Sequence, residues 1–169
     1  MTLSMYQASV PVHVHGLNNL SAILTKAENH AAAKKIDSSV LVNARLYPDM
    51  FPLSRQVQIA CDMVKGSAAR LAGLDVPSFP DTETTFAELQ QRIGKTLVFI
   101  QSLKPEQIDG SENRTVSLKI KGKETTLQGQ PYLLQFVTPN FYFHIVTAYD
   151  ILRHNGVEVG KADFLGPVP

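Results

Sequence analysis

Apolar residues recur at alternating intervals of three and four along most of this 169-residue chain. Because an α-helix turns once in about 3.6 residues, this spacing places the apolar side chains on one helix face. The clearest segment runs from Leu53 to Leu71, with Gly73 as the expected stop. Its stripe consists of Leu53, Val57, Ala60, Val64, Ala68 and Leu71. Such a face must be buried against another element, so the pattern predicts a helical bundle.

Three other segments show the same spacing and complete a set of four long helices. The predicted helices cover residues 4–35, residues 53–71, residues 85 to just before 105, and residues 131–155. We expect Pro11 to kink or restart the first helix, because its ring removes a backbone donor. A break or kink is expected in the fourth at Pro139, and Asn155-Gly156 provides its stop.

One segment between the third and fourth helices breaks the helical rhythm. Apolar and polar residues alternate with a period of two in Thr115–Ile120. Glu124–Leu127 can pair with this segment across a turn at Lys121-Gly122-Lys123. This predicts a short β-hairpin that lies against the helices, since an isolated hairpin is only marginally stable. The tail, residues 157–169, is predicted to be extended. We therefore predict one all-α domain, residues 1–169: a four-helix bundle with a small β-hairpin inserted before the last helix.

Composition narrows the possible classes of protein. Hydrophobic residues make up 44% of the chain and charged residues 18%, which is typical of a globular protein. The formal net charge is +1 and the lysines are scattered, so nucleic acid is not an expected partner. No signal peptide and no apolar run long enough for a membrane span is visible, which predicts a cytoplasmic protein. The single cysteine, Cys61, is expected to be a small buried hydrophobe.

Two polar side chains interrupt the apolar face of the fourth predicted helix. Asn140 and His144 stand four residues apart, one turn along the same face. His144 is either a core histidine bonded to a neighbour or a ligand or acid/base group in a pocket. Elsewhere, His13 and His15 resemble a metal motif, but their rings diverge on a helix. Four residues of the second helix are expected to form a solvated face: Arg55, Gln58, Asp62 and Lys65.

Several longer motifs carry a resemblance to a known family. They are Arg45–Leu53, Gln56–Asp62, Pro139–His144, Leu152–Gly156 and Gly160–Gly166. The chain resembles an uncharacterised bacterial domain-of-unknown-function family within the DinB/YfiT-like superfamily of proposed metalloenzymes. The resemblance spans nearly the whole chain and implies a DinB-like four-helix bundle that forms a homodimer.

The resemblance also implies a position for a site. Many DinB-like proteins bind a divalent metal through one histidine of the second helix and a His-X-X-X-His pair of the fourth. On this chain the pair falls on Asn140 and His144, and the second-helix ligand falls near Gln56. Amide oxygens are weaker donors than imidazole toward zinc, nickel or iron. No cofactor is therefore expected, and His144 is the one candidate ligand for a divalent metal such as zinc or nickel.

Three functions follow as hypotheses. The first is a dimeric DinB-like protein that has lost the three-histidine metal site and binds a small polar molecule through Gln56, Asn140 and His144. The second is a metal-dependent transferase or hydrolase in which His144 holds the metal. The third is a structural or stress-associated interaction protein. The sequence does not decide whether the chain is an enzyme, nor does it identify a ligand.

Overall fold

Four long helices form the body of the computed structural model, which describes residues 3–120 and 122–167. They are α1 (Met5–Lys34), α3 (Leu53–Ala72), α4 (Phe86–Gln101) and α7 (Thr138–His154). Shorter helices are α2 (Ser38–Val42), α5 (Pro105–Ile108), α6 (Gly129–Pro131) and α8 (Lys161–Leu165). Strands β1 (Thr115–Ile120) and β2 (Lys123–Gln128) precede α6. The predicted all-α bundle with a hairpin before its last long helix is confirmed.

The local sequence defines where the long helices begin and end. At the start of α1, the Ser4 hydroxyl accepts from the Gln7 amide while the Gln7 side chain accepts from the Ser4 amide. Thr85 and Glu88 form the same reciprocal pair at the start of α4. Such capping boxes satisfy backbone donors that lack partners inside the helix. Gly73 ends α3 with a left-handed backbone, as its position predicted.

The apolar faces of α1, α3, α4 and α7 meet in one continuous core. Helix α3 packs against both α4 and α7, and α1 packs against α4. Gly16 permits a close approach of α1 to α7, because a Cβ there would lie 2.8 Å from ring carbons of Phe141. Cys61 is fully buried in this core, and burial raises the pKa of its thiol to about 12. The expected role of Cys61 as a small buried hydrophobe is confirmed.

The two helix prolines have different consequences. Helix α1 continues without interruption through Pro11, so the predicted restart is wrong. Pro11 lacks the backbone N–H that would donate to the carbonyl of Gln7. Both residues lie on the exposed side of α1, where water can donate to that carbonyl instead. Before Pro139, by contrast, residues Tyr132–Val137 form a π-helical segment that runs into α7. The expected irregularity is therefore present, but it lies in the turn preceding the proline.

The β-hairpin is antiparallel and packs on the bundle. Ile120 pairs with Lys123, so β2 begins one residue earlier than predicted and Gly122 has a φ of 81° in the turn. Val116 is buried against the helices, as the marginal stability of a lone hairpin requires. Predictions for residues 1–2, 121 and 168–169 lie outside the described residues.

The C-terminal tail is not fully extended, which corrects the prediction. Lys161–Leu165 form helix α8, which packs against α1. The Phe164 ring meets Tyr149 edge to face with centroids 6.0 Å apart. Asn19 donates to the Phe164 carbonyl at 3.1 Å, and Lys26 pairs with Asp163 at 2.6 Å. These contacts are made by residues far apart in sequence, so local spacing did not reveal them.

Deleting residues 161–169 should lower the free energy of unfolding by about 2 kcal/mol. The estimate combines lost burial of the Phe164 ring with loss of its aromatic and hydrogen-bonded contacts. Urea denaturation followed by circular dichroism measures it, with Lys161→Ala as a control that changes an exposed residue of the same helix. Unchanged stability of the deleted protein would show that α8 does not support the bundle.

Candidate functional site

Two of the three predicted site residues meet between α3 and α7. Gln56 lies in the first turn of α3, and His144 lies in the second turn of α7. The His144 Nδ1 and the Gln56 Oε1 are 2.7 Å apart. Both side chains are buried: Gln56 is 1% exposed and His144 is 8% exposed. The His144 imidazole therefore faces the Gln56 carboxamide of α3.

The hydrogen bonds of Gln56 assign the protons of His144. Gln56 Nε2 donates to the Phe51 carbonyl at 3.1 Å, which leaves Oε1 as the acceptor toward His144. His144 therefore donates from Nδ1, and its Nε2 carries a free lone pair. Burial, together with the smaller effect of the Arg55 charge, lowers the pKa of His144 to about 4. At neutral pH the ring is an uncharged acceptor at Nε2.

Asn140 does not join this pair by a direct hydrogen bond. Its Nδ2 donates to the Phe136 carbonyl one turn earlier at 2.6 Å, and the residue is partly exposed. Its Oδ1 has no hydrogen-bond partner in the described part of the chain. The bond to Phe136 caps a carbonyl of the π-helical segment, where the regular hydrogen-bond ladder is disturbed. That Gln56, Asn140 and His144 together bind a ligand stays a prediction.

Aromatic side chains and one cation surround the Gln56–His144 pair. The Phe143 ring lies perpendicular to the His144 ring with centroids 5.2 Å apart. Phe51, whose carbonyl accepts from Gln56, lies under the Arg55 guanidinium at 6.0 Å. Phe51 and Phe143 are both more than half exposed. The buried polar pair therefore has an apolar, solvent-facing border.

The predicted solvated face of α3 is wrong. Lys65 is 4% exposed and Gln58 is 5% exposed, because the linker between α3 and α4 covers them. Lys65 pairs with Asp62 at 2.8 Å, and its ammonium lies 4.2 Å from the centre of the Phe79 ring in that linker. A charged helix face usually meets solvent, and the tertiary path of the linker overrides that rule here.

Sequence reasoning missed Arg92, the residue that holds the linker in place. Its buried guanidinium pairs with Asp62 at 2.9 Å, Asp81 at 2.9 Å and Glu83 at 3.1 Å. It also donates to the Pro80 carbonyl. Burial alone would lower the pKa of Arg92, but the hydrogen bond to Glu83 and the surrounding carboxylates outweigh it and raise that pKa. The sequence did contain one sign of this role, because Arg92 directly precedes Ile93 on the apolar face of α4.

The His-X-His pair of α1 is not a metal site. His13 is 1% exposed and lies edge-on to Phe141, with ring centroids 5.1 Å apart. His15 is exposed and donates from Nε2 to the Leu165 carbonyl at 2.7 Å. The predicted divergence of the two rings is confirmed. Burial lowers the pKa of His13 to about 4, so His13 is a neutral core residue at physiological pH.

The donors near His144 do not fit a divalent metal ion. The Gln56 amide uses both of its polar atoms in protein hydrogen bonds, and Asn140 offers only an amide oxygen, which is a weak ligand for zinc or nickel. The positive charge of Arg55 acts on His144 and helps to lower its pKa. Within residues 3–120 and 122–167, no cluster of three or more His, Cys, Asp or Glu side chains suits a metal. A cation would have one good nitrogen ligand and a neighbouring guanidinium that repels it.

The fold and the position of His144 in the last long helix define the class of protein as a DinB-like helical bundle. A solved structure described as a DinB family member from Shewanella denitrificans matches with a TM-score of 0.88 and 45% sequence identity. The match covers 97% of this chain and 93% of that one.

The family model "Domain of unknown function (DUF1993)" matches residues 5–165, and the chain belongs to this family. The resemblance stated from the sequence motifs is thereby confirmed. No curated protein matches the chain. Within the described residues, no helix has both the length and the apolar character needed to cross a membrane.

Proposed function

We propose that this DinB-like protein binds a small polar molecule at the His144 ring and does so without a resident metal. The observation that carries the proposal is the buried hydrogen bond between His144 and Gln56. It fixes the ring in the tautomer with a free Nε2 lone pair. A buried polar group held in one orientation, with an acceptor left over, suits the binding of a hydrogen-bond donor.

The border of the site supports the same proposal. Nε2 of His144 and Oδ1 of Asn140 are both acceptors without a protein partner among the described residues, and Asn140 lies one turn from His144 on α7. Exposed rings of Phe51 and Phe143 offer apolar contact beside them. Ligand sites commonly combine an apolar lining with a few placed polar groups. The cavity of about 190 Å³ beside Phe79 and Arg92 does not include these residues.

The nitrogen resonances of the His144 ring test this proposal. We expect a long-range ¹H–¹⁵N spectrum to show a protonated Nδ1 and a bare Nε2 at pH 7. A panel of small acids, alcohols, amides and amines is then titrated, and at least one compound should shift the Nε2 resonance saturably. His144→Ala lacks the reporting ring, so its binding is measured by isothermal titration calorimetry and should be abolished. His154→Gln at the exposed end of α7 should retain the Nε2 shift.

Two outcomes would contradict the proposal. If zinc or nickel shifted Nε2 stoichiometrically and co-purified with untagged protein, the metal-dependent transferase or hydrolase would be favoured. If no compound shifted Nε2 while His144→Ala cost about 1–3 kcal/mol of stability, the pair would be structural. The interaction-protein hypothesis would then be the better one.

We also propose that the protein is cytoplasmic and forms a homodimer. Exposed apolar side chains follow the outer side of α7, and such a stripe favours burial by a partner. They are Tyr142 and Val146. Light scattering measures the mass in solution, and a monomer at micromolar concentration would contradict the dimer.

A further inference from the structure

We propose that the molecule bound at His144 is a small carboxylate that also carries a hydrogen-bond donor, and that Arg55 selects its negative charge. The inference rests on the proposed function, since it names the ligand class for the same site. Arg55 precedes Gln56 in α3, and its guanidinium lies over the Phe51 ring at 6.0 Å. A guanidinium binds a carboxylate in a two-bonded geometry that an ammonium cannot reproduce.

The charge around the ring favours an anion. Arg55 lies beside the site, since its guanidinium is over the ring of Phe51, the residue whose carbonyl accepts from Gln56. No carboxylate of the described residues pairs with or bonds to the His144 ring. Neutral His144 supplies an acceptor at Nε2, and Asn140 supplies another at Oδ1. These acceptors require a donor such as a hydroxyl on the ligand. The positive charge of Arg55 favours a negative group on the same ligand. A cationic amine would satisfy the acceptors but would face the positive charge of Arg55.

The ion-pair network allows Arg55 to change partners. Arg55 pairs with Asp81 and donates to Gln58 at 3.2 Å, and both Arg55 and Asp81 are more than one third exposed. Asp81 also pairs with the buried Arg92 at 2.9 Å. If Arg55 turns to a ligand, Asp81 therefore retains a cation. Arg92 keeps Asp62 and Glu83 as well, so no buried charge is left alone.

The exposed aromatic rings define the rest of the ligand class. Phe51 and Phe143 are 53% and 57% exposed. The carbonyl of Phe51 accepts from Gln56, and the ring of Phe143 contacts the His144 ring. A ligand that covers them gains stability by removing apolar surface from water. The class is thus a hydroxylated carboxylate with an apolar or aromatic body.

Three probes that share a phenyl ring and a benzylic hydroxyl test the charge preference. They are mandelate, 1-phenyl-1,2-ethanediol and 2-amino-1-phenylethanol, which are anionic, neutral and cationic. Titrations followed at the His144 Nε2 resonance should show mandelate binding about tenfold more tightly than the diol, with the amine weakest. Arg55→Gln should remove the advantage of mandelate and leave the diol unchanged.

Two further variants distinguish selection of an anionic ligand by Arg55 from a purely structural role of that residue. Asp81→Asn frees Arg55 from its carboxylate, so mandelate affinity should rise several-fold, a gain that a structural role would not produce. Arg153→Gln, which removes an exposed cation at the far end of α7, should leave all three affinities unchanged. Circular dichroism confirms that each variant is folded.

The inference is overturned if the diol or the amine binds as tightly as mandelate, or if Arg55→Gln keeps the preference. It is also overturned if a neutral or cationic member of the wider panel binds while mandelate does not. In each case a compound still shifts the Nε2 resonance, so the proposed function survives. Failure of every panel compound to shift that resonance removes both proposals.

Discussion

Replacing Arg92 with methionine should lower the free energy of unfolding by about 3 kcal/mol, because removing this buried cation leaves the nearly buried Glu83 without a counter-charge. Asp62 would keep Lys65 and Asp81 would keep Arg55. Glu83, which is only 12% exposed, would keep the Gln58 amide at 3.0 Å and lose its cation. Urea denaturation at pH 7 followed by circular dichroism measures the loss.

Two variants serve as controls for the Arg92 prediction. Arg92→Lys retains the charge but cannot span Asp62 and Glu83 at once, so we expect an intermediate loss. Arg55→Gln removes a half-exposed cation from the same network and should cost less than about 1 kcal/mol. Equal stability of Arg92→Met and the parent would show that the linker is held to α3 and α4 by apolar contacts alone.

Mild acid should destabilise the protein through its buried histidines. Burial lowers the pKa of His13 to about 4, and burial together with Arg55 lowers that of His144 to about 4. The unfolded chain, with ordinary histidine pKa values near 6.5, binds these protons first. Stability is therefore full above pH 6.5 and falls as the pH drops toward 4. For His13 alone the loss amounts to about 3 kcal/mol at the acid end of this window.

Denaturation curves recorded between pH 7.5 and pH 4.5 measure this dependence. His13→Leu removes one titrating group, so its stability should fall less steeply with acid even if its stability at pH 7.5 is lower. His154→Gln changes an exposed histidine and should keep the parental slope. If His13→Leu and the parent lost stability in parallel, His13 would not contribute to the acid sensitivity.

Periodicity predicted the bundle because it records which face of each helix is apolar. The stripe of α3 and its stop at Gly73 depend on residues within one or two turns, so neighbouring residues suffice to predict them. The period-two alternation of Thr115–Ile120 predicted strand β1 for the same reason. The resemblance added Gln56 to the Asn140–His144 pair that helix spacing had already indicated.

The polar contacts were less accessible to sequence reasoning. Lys65 and Gln58 have the spacing of a solvated face, but the linker carrying Phe79 covers them. The tail contains glycine and proline, yet Lys161–Leu165 coil into a helix because Phe164 and Asp163 find partners on other helices. Asn140 shares a face with His144, but its amide turned to the Phe136 carbonyl of the π-helical segment.

Local sequence was sufficient to predict the four long helices, their apolar faces and the glycine stops of the second and fourth, because these follow from interactions between close neighbours. The hydrogen bond from His144 to Gln56 and the ion pairs of Arg92 with three carboxylates became evident only in the tertiary structure. Those contacts join residues 9 to 88 positions apart. Their geometry depends on how the helices and the linker pack, and packing is a property of the whole chain.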